Sequence, residues 1–510
     1  MLGSKKPSRF VRVIKYPVRS AAHCSGNLRL FYERESMKFN GEINSFIRDF
    51  VKDLSENNAA IFAGAGLSKS SGYVNWKELL TDIAEELELK IDLESDLISL
   101  AQYHVNKTKG PAKLTRKIVE EFSHQAEPSE NHKILARLPI RTFWTTNYDT
   151  LIEDSLKQAY KVADVKHKLS QLNITRPKRD AVVYKMHGCV SDATHAILYK
   201  NQYETYHRDY APFVTALSGD LVSKTFLFIG FSFSDPNLDY VLSRLHTSTI
   251  KTHYCFVKRE DAEPGDDEEM HQYKRRKQEF RVEDLRRYGI QPIMVDKYSD
   301  ITEILREIER RYLKKTVFIS GSAEVYGEWG RDKSLKFIHA LASELVLKDR
   351  RVVNGFGWGV GSAVINGALD AIYKYPEKYS EDQLVMRPFP QFPSAGQDLK
   401  QLWEEYRQRM IGLSGVSIFI FGNKIDNEQL VIANGVVREA EIAIEQGRIV
   451  IPVAATGFAA AEVYNLIKAK PELYDAHKWL LVVIDELADP ALSCEEIVKK
   501  IADAIVKLDK

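Results

Sequence analysis

Three short polar clusters in the first half of the chain carry residue types suited to nucleotide chemistry. They are Ser68 in Gly64-Ala65-Gly66-Leu67-Ser68, Asn147 with Asp149 in Thr145-Thr146-Asn147-Tyr148-Asp149, and His187 followed by Gly188. Each follows an apolar run that reads as a buried strand, at residues 59–63, 141–146 and 181–186. In an open α/β sheet, ligands bind beyond the carboxyl ends of the strands, near the point where strand order reverses. A strand that runs through a glycine turn into a helix leaves backbone N–H groups and a helix N-terminus facing an anion. Glycine permits close approach because no Cβ intervenes. A second such unit, Asn354-Gly355-Phe356-Gly357-Trp358-Gly359-Val360-Gly361, lies in the other half of the chain. Two units predict two nucleotide sites, one for chemistry and one for sensing. The dinucleotide fingerprint would place a third glycine where Lys69 stands, which disfavours a simple Rossmann dehydrogenase.

The elements that must position these groups alternate along the chain. A helical stripe over 39–56 precedes the strand at 59–63, and helical patterns follow over 76–89, 93–105 and 114–122. Strands are expected at 141–146, 181–186, 225–229, 253–257 and 291–295, with Asp235-Pro236-Asn237 opening a helix. After a helix and linker over 301–315, a second series has strands at 316–319, 351–353, 416–421, 449–453 and 479–484. Helices near 334–347, after Ser362 and over 404–410 lie between them. Strands alternating with helices predict parallel sheets covered on both faces. The segment 258–287 mixes an acidic loop with a basic helix, and the interleaved signs predict a solvated helix rather than a nucleic-acid surface.

At 510 residues the chain is too long for one ordinary core. Its 72 Lys and Arg against 71 Asp and Glu give a net charge of +1, so no electrostatic case for nucleic acid exists. No apolar run approaches the roughly 20 residues that span a bilayer. Cys24, Cys189, Cys255 and Cys494 are scattered without a CxxC pair, so neither a zinc site nor a disulfide framework is indicated, and a reducing cytoplasm is expected. Residues 1–32 hold seven Lys and Arg without an acidic residue. Residues 1–36 are expected to be a disordered or non-native extension ahead of Met37, although their composition also fits an organelle transit peptide.

Residues 57–240 resemble a sirtuin domain. The resemblance rests on Gly64-Ala65-Gly66-Leu67-Ser68 with Ser71-Gly72, Thr145-Thr146-Asn147-Tyr148-Asp149, His187-Gly188 and Gly230-Phe231-Ser232, in that order. It implies that Asn147 contacts the nicotinamide ribose and helps place the attacking water, and that His187 acts on a ribose hydroxyl as general base. It also implies that Gly64, Ala65, Gly66, Ser68, Asp149, Gly230 and Ser232 hold NAD. Deacylating sirtuins carry a ribbon of four zinc-binding cysteines, which this chain lacks, and Asn75 stands near where they have an Asp. Water then becomes the acceptor, and the implied reaction is hydrolysis of NAD to nicotinamide and ADP-ribose without zinc or another cofactor.

Residues 316–505 resemble a SLOG domain, the Rossmann-like family related to the Lonely Guy phosphoribohydrolases. The matching pieces are Phe318-Ile319-Ser320-Gly321-Ser322, the glycine unit at 354–361 and Phe421-Gly422-Asn423-Lys424. The catalytic PGGxGTxxE segment is absent, so binding without hydrolysis is expected. The whole arrangement, an extension, a sirtuin-like domain over 37–312 and a SLOG domain over 313–510, resembles the NAD-consuming effectors of the Thoeris antiphage system. That resemblance implies a cyclic ADP-ribose isomer, made by a TIR-domain protein, bound by residues matching Ser320, Gly321, Gly355, Phe356, Arg407, Lys424 and Glu439. It implies NAD depletion of the infected cell and assembly as a homotetramer or filament. A non-catalytic NAD-binding scaffold and a protein ADP-ribosyltransferase are the alternatives.

Overall fold

The computed structural model describes residues 39–124, 126–244, 251–261, 267–392, 396 and 398–509. The expected extension over 1–36 lies outside them, as does most of the acidic loop. The chain divides into two compact units, the first ending at Glu309 and the second starting at Arg310, against the 312/313 boundary expected from sequence.

The first unit is built on a seven-stranded parallel sheet. Its strands are β1 (Ala59–Ala63), β2 (Thr142–Thr145), β3 (Ala163–Lys166), β4 (Ala181–Lys185), β5 (Thr225–Ile229), β6 (His253–Lys258) and β7 (Ile290–Val295), in the order β3-β4-β2-β1-β5-β6-β7. Strands β1 and β5 are buried at every position because helices cover both faces. The helix Gly41–Ser55 begins at Asn40, whose side chain accepts from the Ile43 N–H, and it buries Phe46, Ile47, Phe50, Val51 and Leu54 on one stripe. The order reverses between β1 and β5, the switch point at which a crevice opens beyond the strand ends.

The second unit has a five-stranded parallel sheet of β8 (Thr316–Ser320), β9 (Arg351–Asn354), β10 (Leu384–Met386), β11 (Val416–Phe419) and β14 (Ile449–Pro452), ordered β10-β9-β8-β11-β14. A separate antiparallel hairpin joins β12 (Asn423–Asp426) to β13 (Gln429–Ile432). Both sheets therefore have the mixed α/β architecture expected from sequence.

Several local expectations are corrected. Residues 479–484 are not a strand but part of the helix Lys478–Glu486. Leu480, Ile484 and Leu487 are buried at one-turn spacing while Val482 is 60% exposed, so the period is helical despite the run of β-branched residues. The pattern over 76–89 breaks at Leu80 into the short helices Trp76–Leu79 and Thr81–Glu86. Asn75 caps the first of these in a reciprocal pair with Glu78. The pattern over 93–105 starts later, at Leu97, where the Asp96 side chain caps the helix Leu97–Thr108. Edge strands β3 and β10 are not expected from the sequence: β3 interrupts its apolar residues with Asp164 and Lys166, β10 is a run of only three apolar residues, and each has one neighbour and partial exposure. Lys424 lies beyond the end of β11, as expected, and falls within the short strand β12. The basic helix is Glu268–Arg287; Leu285 is its buried residue, and the rest faces solvent to varying degrees.

Candidate functional site

The three polar clusters converge on one edge of the first sheet. Strands β4, β2, β1 and β5 lie side by side, and their carboxyl ends release His187, Asn147, Gly64 and Gly230 in that order. Thr145 is in register with Lys185, so Asn147 and His187 each stand two residues beyond a paired position on adjacent strands. Neighbouring strands are about 4.8 Å apart.

Asn147 is held in a buried network. Its backbone N–H donates to Thr145 Oγ1 at 2.9 Å, and Thr145 Oγ1 donates to the Ala63 carbonyl at 2.9 Å. Its side-chain Nδ2 donates to the Gly64 carbonyl at 3.1 Å and to Ser68 Oγ at 3.0 Å. Ser68 Oγ in turn donates to Asp149 Oδ2 at 2.8 Å, while Asp149 Oδ1 accepts from the Leu151 N–H at 3.0 Å. Ser68, Asn147 and Asp149 are thus one connected unit that ties the β1 turn to the β2 loop.

The glycines serve a second contact besides any ligand. The Gly64 N–H donates to the Ile229 carbonyl at 3.0 Å and the Gly66 N–H to the Gly230 carbonyl at 2.9 Å. A Cβ on Gly64 would stand 2.5 Å from the Gly230 oxygen, and one on Gly230, where φ is +64°, would stand 2.1 Å from the Leu67 nitrogen. Only glycine allows the two turns to pack this closely. Ala65 is exposed at this edge, as is Ser232, whose Oγ lies 2.6 Å from Ser234 Oγ rather than against Asn147 or His187.

His187 is 3% exposed. Its Nε2 lies 3.2 Å from Asp235 Oδ2 and 3.4 Å from Asn237 Nδ2, and its Nδ1 lies 3.5 Å from the Tyr203 hydroxyl. Burial pushes the imidazole below its usual pKa, and the Asp235 carboxylate opposes that shift. A neutral ring at pH 7 can accept a proton, as a general base must.

Lys185, at the end of β4, was not expected in the site. It is fully buried, and its ammonium donates to the Tyr148 carbonyl at 3.4 Å, to the Asp149 carbonyl and to Glu153 Oε1 at 3.0 Å. Burial would lower its pKa, but the Glu153 carboxylate leads the interactions that hold it above the usual value. One cation therefore pins the loop that carries Asn147 to the strand that delivers His187. The sequence signal was a lone Lys inside an otherwise apolar strand. From sequence alone Asp235 reads only as a helix start.

The second unit gathers part of its expected set. Ser320 ends β8 and donates to Glu439 Oε2 at 2.5 Å. Arg407, on the helix Leu399–Ile411, places Nε 3.6 Å from Glu439 Oε1, with its guanidinium 5.1 Å from the centre of the Phe389 ring. Burial raises the Glu439 pKa, while Ser320 and Arg407 oppose that rise. A Cβ on Gly355 would stand 3.0 Å from the Phe389 ring, and one on Gly321 would stand 2.4 Å from the Ile420 carbonyl oxygen. Phe356, with φ +58°, is 55% exposed beside this cluster's glycine turn. Lys424 is exposed on the hairpin, and no side-chain hydrogen bond or ion pair joins it to Glu439 or Arg407 among the described residues. Among the described residues, no cluster of three or more His, Cys, Asp or Glu could hold a metal ion, and no helix is long and apolar enough to cross a membrane.

Residues 141–293 match the SIR2-like domain family, and residues 300–508 match the Sir2- and TIR-associating SLOG family. NAD(+) hydrolase ThsA of Bacillus cereus (strain MSX-D12) is 48% identical over 475 residues, covering 92% of this chain and 99% of the relative. The chain belongs to the ThsA NAD(+) hydrolase family. The ThsA of Cytobacillus dafuensis is 45% identical, covering 94% of this chain and 99% of its own, and that of Acinetobacter baumannii (strain 532279) is 42% identical, covering 91% and 100%. The SIR2-like match runs from β2 into β7 of the first sheet, including both Asn147 and His187, and the SLOG match covers the second sheet.

Proposed function

We propose that the chain cleaves NAD+ to nicotinamide and ADP-ribose at the sheet edge that carries Asn147 and His187, under control of a cyclic ADP-ribose isomer bound by the second unit. The observation that supports the catalytic part is the delivery of an amide and a neutral imidazole by adjacent strand ends, braced by Ser68, Asp149 and Lys185. In the reaction, the bond between nicotinamide nitrogen and ribose C1 breaks with its electron pair leaving on the neutral base. Water forms the new C–O bond, and its proton passes to His187 or solvent. The transition state resembles an oxocarbenium ion, so the protein's task is to hold the sugar, orient water by the Asn147 amide and accept a proton. Gly64, Ala65, Gly66, Ser68, Asp149, Gly230 and Ser232 are the proposed NAD-holding residues, with no metal required.

For the sensor, Arg407 supplies a planar fork for phosphate and Lys424 a mobile charge. Ser320, Gly321, Gly355, Phe356 and Glu439 complete the proposed pocket. The basic Nδ1 of His187 and the Asn147 side chain are engaged by protein groups, which fits a resting state that the signal must open. Moving such an equilibrium from 1:99 to 99:1 takes about 10⁴-fold preferential binding, roughly 5.5 kcal/mol. Sites shared across a homotetramer or filament would divide that load. The consequence is NAD depletion in an infected bacterial cell, with a TIR-domain enzyme as the source of the signal. Nicotinamide release with and without the cyclic nucleotide tests the reading. Asn147→Ala and His187→Ala should abolish it in a folded protein, and full activity in both would overturn the site.

A further inference from the structure

The turn after β5 returns across the strand ends and brings Asp235 against His187. The Asp235 carboxylate has a divided role. Its Oδ1 accepts from the Asn237 and Leu238 N–H groups, each at 3.0 Å, and so caps the helix Pro236–Leu242. Its Oδ2 faces His187 Nε2 at 3.2 Å. Pro236 occupies the first helical turn, which presets the backbone there. The carboxylate is therefore fixed by a helix terminus before it meets the imidazole.

We propose that Asp235 is the positioning residue of the catalytic histidine: it fixes His187 as the Nε2–H tautomer and leaves Nδ1 as the basic nitrogen. This rests on His187 acting as general base. A carboxylate oxygen is an acceptor only, so a lone pair on Nε2 would put two acceptors in contact, whereas an Nε2–H makes a charge-assisted bond. The Asn237 amide is the longer contact, and its oxygen and nitrogen ends interchange by a half-turn to suit an Nε2–H. On the other side of the ring, the Tyr203 hydroxyl can donate to Nδ1. Tyr203 and Tyr206 also meet the ring edge-on, with centroids 5.2 and 6.3 Å away. Among the described residues, Asp235 is the charged group acting on the imidazole, and Tyr203 and Asn237 are its polar side-chain contacts.

Asp235→Asn separates this role from helix capping, because Asn caps as well as Asp. The full-length variant should melt with the wild type yet lose about a hundredfold or more in kcat, with KM changed less than threefold. Losing the carboxylate removes the interaction that opposes burial, so the acid limb of kcat/KM should move to lower pH. Nitrogen-15 spectra of the histidine rings give a readout independent of turnover. His187 should be the Nε2–H tautomer in the wild type and lose that preference in Asp235→Asn. An Nδ1–H tautomer in the wild type, or wild-type kcat and pH profile in Asp235→Asn while His187→Ala is inactive, would overturn the proposal alone. Full activity of His187→Ala would instead overturn the functional reading beneath it.

Discussion

Replacing Lys185 by Met tests how the site is held. The substitution keeps a long side chain but removes the buried ammonium, leaving the Asp149 carbonyl and the Glu153 carboxylate without that donor, while the Tyr148 carbonyl keeps the Val190 N–H at 2.9 Å. Glu153 is 15% exposed and its Oε2 already has no partner. Breaking a buried ion pair from one side costs about 3–5 kcal/mol, because the abandoned charge stays buried. For a unit of this size, each 1 kcal/mol moves the melting temperature by roughly 2–4 °C, so a fall of about 10 °C is expected. Thermal and urea melts measure the loss, and hydrogen exchange in peptides covering 142–158 assigns it to the first unit. Adding Glu153→Leu should restore most of the stability, since a matched apolar pair leaves no orphan charge. A Lys185→Met protein melting within 2 °C of wild type, or no recovery in the double variant, would refute the buried clamp.

Other expectations follow from single contacts. Gly230→Ala places a methyl 2.1 Å from the Leu67 nitrogen at φ +64°, so it should cost several kcal/mol in urea melts and activity with it; a neutral outcome would deny the close packing of the two turns. Burial lowers the pKa of His132 and of His253 to about 4, so the folded state binds fewer protons than the unfolded one. Their stability contribution is complete above about pH 6.5 and is lost as pH falls toward 4, by up to about 3 kcal/mol each. Unfolding curves at pH 7 and 5 should differ accordingly, and His253→Leu should flatten the dependence; an unchanged slope would contradict it. Arg407→Ala removes the cation beside Glu439 and should weaken calorimetric binding of a cyclic ADP-ribose isomer at least tenfold, whereas unaltered affinity would take Arg407 out of the sensor.

The sequence was most legible where chemistry coincided with a largely apolar, buried strand. The strands before Gly64, Asn147, His187 and Gly230 are buried at nearly every position, so composition alone marks them. It was least legible at sheet edges and in short apolar runs. Strand β3, Ala-Asp-Val-Lys, alternates exposure and reads as a loop, and the run at 479–484 hides its helical period among β-branched residues. Contacts distant in sequence explain the missed parts of the site. The interactions of Lys185 with the β2 loop and of Asp235 with His187 exist only once the strands are ordered, and no local pattern encodes them. Likewise the glycine turn at Gly64 reads as a phosphate cradle, while the structure adds its packing against Gly230, visible only from the β1–β5 pairing.

The most direct measurement runs the cyclic-nucleotide-treated full chain with NAD in ¹⁸O-labelled water and follows products by mass spectrometry. The account predicts nicotinamide and ADP-ribose in equal amounts, one labelled oxygen on the ribose carbon that held nicotinamide, and neither product from folded Asn147→Ala or His187→Ala. Unlabelled ADP-ribose, transfer of ADP-ribose to protein, or undiminished turnover in both variants would contradict it.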